Sequence, residues 1–216
     1  MTEPTPRVVV RGETTLRVPP SHATLSLTAE ARDRHRDRAL VLLGDVQRTV
    51  ADLLAEHAAL VTRSATAAVG VHAEHSDRQR VTGYRATVTT QVRVDDVDRV
   101  GELAVAAAGL DGCSLWGPSW QLDRDDPAWA RARTEAIGEA VARARGYAEA
   151  VGSTLTGLVE LRDVGTGAVS PAMMMAGSAR SAVRAAPELD LEPALQEVHG
   201  AVEAVFLISA PNLEEL

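Results

Sequence analysis

Alanine recurs every fourth residue from Ala132 through Ala136, Ala140 and Ala144 to Ala148. The stretch opens on Asp125-Asp-Pro127 and closes before Gly152. A period of four stacks these methyl groups on one narrow face of a helix. An acidic cap, a proline in the first turn and a glycine past the last turn set its ends. The pattern predicts a helix over about 127–151, with Ile137, Val141, Tyr147 and Val151 beside the stripe. A face made of methyls lets another backbone come close, so this helix must lie tight against a sheet or a second helix. The composition points the same way: aromatic residues are only 3% of the chain, so its core is built from Ala, Val and Leu.

The remaining segments read as strands and shorter helices. Residues 7–18 and 22–32 form two strands joined at Val18-Pro-Pro-Ser21, where the prolines enforce a turn. In the second strand Ala23, Leu25, Leu27, Ala29 and Ala31 alternate with Thr24, Ser26, Thr28 and Glu30, the period of a half-buried antiparallel strand. The charge run Arg32–Arg38 leads into a helical stripe of Leu43, Val46, Val50, Leu53 and His57. Asp33 and Asp37 interrupt the run at spacings that suit intrahelical pairs, so it reads as a solvated helix start. Residues 60–75 and 80–94 read as a hairpin turning near Glu74–Asp77. Its second arm points Tyr84, Ala86, Val88, Val92 and Val94 inward, and Arg85, Thr87, Thr89, Gln91 and Arg93 outward. A short helix capped by Asp95 or Asp96 ends at Gly109. A strand over about 114–122 is bulged at Gly117-Pro118, and another runs near 155–164. The last strand, 197–208, is apolar on both faces at Val205–Ile208 and so central in a sheet.

Strands and helices that do not alternate strictly predict an α+β fold, a largely antiparallel sheet with helices on one face. The 216 residues suffice for one domain over 7–210, or for two intertwined subdomains. Residues 1–6 read as a disordered N-terminus and 211–216 as a frayed tail. Residues 165–195 lose all periodicity, are rich in Gly, Ala, Ser and Pro, and carry Met173-Met-Met175, which reads as an adaptable apolar contact loop.

The charge is net −8, with 22 basic residues against 30 acidic, and the chain has no lysine. That balance speaks against nucleic acid as a partner, and the missing lysine excludes a Walker-type loop. No apolar run is long enough to span a bilayer, and the acidic, proline-bearing start lacks the form of an export signal, so a cytoplasmic protein is expected. A single cysteine, Cys113, excludes an internal disulfide and reads as a small hydrophobe. His72 and Glu74 share one side of a strand while His75 points the other way, so this trio does not converge on a metal. Asp123, Asp125 and Asp126 are explained by helix capping. Trp116, Trp120 and Trp129 are expected to cluster at the strand-to-helix junction. Neither a cofactor nor a catalytic residue is expected.

Three segments together resemble the SIMPL-domain family. Val8-Val-Val-Arg-Gly12 with the Pro-Pro turn and Ala23 is similar to its opening strand and turn, although Ser21 stands where the family usually has an acid. Val81-Thr-Gly-Tyr-Arg-Ala86, continuing through Val94-Asp-Asp96 to Gly101, Leu103 and Gly109, resembles its glycine-tyrosine strand and following helix. Leu122-Asp123 through the alanine helix with Arg143 to Gly152, then Leu155 and Val159, resembles its alanine-rich helix and strand. The family's biochemical role is undefined. The resemblance implies links to stress tolerance and to protein interaction, and one bacterial relative forms a large ring-like oligomer. It carries no catalytic residues over.

Two readings follow. In the first, the chain is a non-enzymatic homo-oligomer whose self-association face is the wet side of the sheet: Thr24, Ser26, Thr28, Thr87, Thr89 and Gln91, polar but uncharged and so covered at little desolvation cost. In the second, it is a small-molecule-binding protein or enzyme, with a pocket between sheet and long helix beneath the 165–195 loop.

Overall fold

A computed structural model describes residues 5–76, 80–165, 189 and 191–212 of the chain. Met173, Met174 and Met175, most of the 165–195 stretch, residues 1–4 and the end of the tail lie outside the described residues. The strands are β1 (Arg7–Val18), β2 (His22–Asp33), β3 (Arg63–His75), β4 (Val81–Val94), β5 (Cys113–Gln121), β6 (Leu155–Asp163) and β7 (Gln196–Ile208). The helices are α1 (Arg36–Glu56), α2 (Val100–Ala108) and α3 (Pro127–Ala150). The strands form two antiparallel sheets, ordered β1-β7-β6 and β3-β4-β2-β5, so the fold is α+β as the patterning predicts.

The chain divides into two compact units. One holds β1, α3, β6 and β7; the other holds β2, α1, β3, β4, α2 and β5 as one continuous stretch, Pro20–Leu122. The Pro19-Pro20 junction is therefore not a turn within one sheet. β1 ends in the three-stranded sheet against β7, and β2 opens the four-stranded sheet between β4 and β5. Both prolines lack a backbone N–H and cannot extend a ladder, which suits a point where the chain leaves one sheet for the other.

In the three-stranded unit, Ala128, Ala132, Ala136, Ala140, Ala144 and Ala148 of α3 are all buried. They pack with Val10, Val202, Ala204 and Phe206. The approach is at backbone level: a Cβ at Gly12 would overlap the Ala136 carbonyl oxygen and the Ala140 amide, and one at Gly200 would overlap the Ala132 carbonyl. Asp126 caps the helix by accepting the Ala128 amide at 2.9 Å, with Pro127 in the first turn. β7 is the central strand, as its apolar end requires.

In the four-stranded unit, α1 and α2 cover one face of the sheet. Ala39, Leu43, Val50 and Leu53 of α1, and Val100, Leu103, Ala104 and Ala107 of α2, join Leu25, Leu27, Ala29, Val88, Val92 and Val94 in a single core. Full burial of side chains such as Leu25, Leu27 and Leu103 is worth about 1.5–3 kcal/mol each. Leu191, within the stretch that lacks periodicity, packs on this core, and Leu189 lies where a Cβ at Gly101 would strike its carbonyl. The predicted hairpin is β3–β4, and the predicted bulge falls in β5 between the pairs Thr24–Ser119 and Ser26–Trp116.

Candidate functional site

The face of the four-stranded sheet opposite α1 and α2 is where β2 and β4 send their polar side chains. Ser26 faces Gln91, Thr28 faces Thr89, and Glu30 faces Thr87, so the six predicted face residues do come together on two adjacent strands. Thr28 and Thr89 share a hydroxyl hydrogen bond of 3.0 Å. The neighbouring strands extend the face: β5 adds Ser114 opposite Thr28 and Ser119 opposite Thr24, while β3 adds Ala65 opposite Gln91 and Ala68 opposite Thr89.

Trp116 sits opposite Ser26 on the edge strand β5 and is 71% exposed. Trp120 lies on the other side of the same strand, packed into the core, and Trp129 starts α3 with its indole donating to the Asp123 carbonyl at 2.7 Å. The expected cluster of three tryptophans is thus corrected, because Trp116 and Trp120 occupy opposite faces of β5. The signal was present in the alternation Ser114-Leu115-Trp116, where Leu115 goes to the core and Trp116 must point away from it.

Charge is confined to the ends of this face. At one end Glu30, Arg32, Glu74 and Arg85, from three adjacent strands, form a closed square. Arg32 reaches Glu30 at 2.8 Å and Glu74 at 3.6 Å; Arg85 reaches Glu74 at 3.2 Å and Glu30 at 3.6 Å. At the other end Arg93 pairs with Asp95 at 2.6 Å. Two guanidinium and two carboxylate groups neutralise one another, leaving an uncharged strip of hydroxyls, one amide and one indole between charged ends. This square escaped sequence reasoning because its members are brought together by register across β2, β3 and β4.

Among the described residues no three His, Cys, Asp or Glu converge as a metal group. Cys113 packs against the core, and burial pushes its thiol up, away from the thiolate a nucleophile needs. At Gly12 and Gly200 the sheet approaches α3 at backbone level, so at these two points the described residues leave no space between them. A half-open depression of about 230 Å³ does occur on the opposite face of that sheet, lined by Arg7, Val9, Glu160, Arg162, Glu203 and Val205. No helix among the described residues is long and apolar enough to cross a membrane.

Two antiparallel sheets, one bearing α3 and the other α1 and α2, define an α+β protein whose four-stranded sheet, among the described residues, carries helices on one face alone. The chain belongs to the SIMPL family: the model for this family, a "protein of unknown function (DUF541)", matches residues 8–206. A search of curated proteins returns no match. Among solved structures, the chain is similar to a hydantoinase/carbamoylase family amidase from Burkholderia ambifaria. The identity is 18%, the TM-score 0.27, and the match covers 57% of this chain and 35% of that one.

Proposed function

We propose that this SIMPL-domain protein is non-enzymatic and works by self-association, with the uncharged face of the four-stranded sheet as its contact surface. The observation that carries the reading is the strip of Thr24, Ser26, Thr28, Thr87, Thr89 and Gln91 with Trp116 exposed at its edge. Its lack of charge and its exposed indole are two features of an interface core, where charge is depleted and tryptophan is enriched. The stress-related setting implied by the family resemblance belongs to this same reading.

Light scattering over a range of concentrations and at two salt levels tests it. A mass at a multiple of 22.9 kDa is expected, little changed by salt, because the strip itself carries no charge. In the double variant Thr89→Glu/Gln91→Glu, two carboxylates would be buried without partners, and the mass should fall. A protein that stays monomeric at every concentration ends the proposal.

A further inference from the structure

The polar face of the four-stranded sheet is not level. Register lays its residues out in rows across β5, β2, β4 and β3, and each row shares one face because directly opposed antiparallel residues point the same way. One row reads Trp116, Ser26, Gln91, Ala65, and the next reads Ser114, Thr28, Thr89, Ala68. The β5 side is high, since its indole stands 71% exposed. The β3 side is low: between Arg63 and His72 it presents Ala65, Ala68 and Gly70, nothing larger than a methyl group. A flat partner would rest on Trp116 and leave a gap over β3, and a gap forfeits contact energy. This relief fits a partner that is low where the face is high and high where it is low.

The same face has that shape once it is turned over about an axis that runs along the strands, between β2 and β4. Such a two-fold keeps each row at its own position along the strands and reverses its order across them. Trp116 comes over the partner's Ala65 and Ser26 over the partner's Gln91; in the next row Thr28 comes over the partner's Thr89 and Ser114 over the partner's Ala68. An axis across the strands sets β5 on β5 instead, so the high edges meet and the low edges stay apart. Hydroxyl and amide groups meet near the axis along the strands. The Thr28–Thr89 hydrogen bond leaves one proton to donate there and acceptor positions on both oxygens. Towards the ends, Arg63 comes over the partner's Ser119 and Arg32 over the partner's Arg85. The second is a like-charge contact, and Glu30 and Glu74 already hold both of its guanidinium groups. We infer that a second copy packs face to face on this sheet about a two-fold axis along the strands, with the indole of Trp116 in each copy seated over the partner's Ala65.

This rests on the self-association proposed above and gives it a geometry and a subunit number. An isologous two-fold contact closes on itself, so this face alone makes a dimer. Sheets that pack face to face lie about 10 Å apart, a distance that an indole from one side and a methyl from the other fill together. Four strands by the five rows from Thr24 to Arg32 of β2 span about 19 Å by about 34 Å, roughly 650 Å² in projection. Accessible area exceeds its projection, which brings the face into the range of about 800 Å² per partner found in stable interfaces.

Exchanging the high and low residues tests the axis, with dissociation constants read by light scattering over a range of concentrations. Trp116→Ala should weaken the dimer about tenfold or more, and Ala65→Trp, which sets indole against indole, should weaken it as much. Trp116→Ala/Ala65→Trp again places one indole over one methyl at each site and should associate to within about threefold of the wild type. Far-UV circular dichroism should be the same in all three, since both positions are exposed. A second measurement does not depend on how Ala65→Trp folds. In a Cys113→Ser background, a short bis-maleimide should join Ser114→Cys/Ala68→Cys between copies, and should not join Ala68→Cys alone, whose two sites lie at opposite edges of the dimer. If the exchanged variant associates no better than the single variants and the cysteine pair does not cross-link, the axis is wrong. Loss of mass in Thr89→Glu/Gln91→Glu would then leave the sheet-face reading standing. A wild-type monomer at all concentrations overturns both.

Discussion

Gly12 and Gly138 show how differently one residue type serves two places. Gly12 lies beneath α3, where a Cβ would overlap the backbone of Ala136 and Ala140; Gly138 lies on the exposed side of the same helix with nothing within 4 Å. Gly12→Ala should therefore destabilise the protein by about 1–3 kcal/mol or more, because backbone cannot yield as a flexible side chain can. Gly138→Ala should stabilise it by about 0.5–1 kcal/mol by removing glycine's unfolded-state freedom. Urea unfolding followed by circular dichroism reads both, and equal effects of the same sign would show that α3 does not seat on β1 as described.

Among the elements, α3 is the one whose limits are written most plainly in the chain. Its cap is a single carboxylate, and Asp126→Ala should cost about 1 kcal/mol, seen as a lower midpoint with an unchanged denaturant slope. The alanine period, Pro127 and Gly152 made this helix legible, and the alternation in β2 and β4 made both the core face and the polar face legible, down to all six face residues. Local pattern carries that information because burial imposes the period. It does not carry the identity of the neighbour. Nothing near Val18 or His22 distinguishes a hairpin from a departure to a second sheet, and β1's partner lies near the far end of the chain. The Arg–Glu square is likewise a product of register, and it appears only once the β3–β4 bulge at Ala67 is known. Trp116 was legible from its own strand, but grouping three tryptophans by sequence nearness overrode the alternation.

For the whole molecule, the proposed sheet-face contact makes Trp116 a reporter. If the sheet face is covered on assembly, fluorescence from Trp116 should shift to the blue as concentration rises and become harder to quench with acrylamide, and Trp116→Phe should remove the shift. A concentration-independent emission spectrum in a protein that light scattering shows to associate would place the contact away from this face. The insertion of Pro20–Leu122 between β1 and α3 has a further consequence, for synthesis. A ribosome delivers all of the four-stranded unit's strands and helices before it delivers β6 or β7. β1, made first, must wait for the central strand of its own sheet until residue 208 has emerged, an interval on the order of ten seconds or more at usual elongation rates. From its own synthesis until that point, α3's methyl stripe has no complete sheet to rest on. The nascent chain is thus most vulnerable in the three-stranded unit, whose sheet stays incomplete longest, and a folding helper would act there.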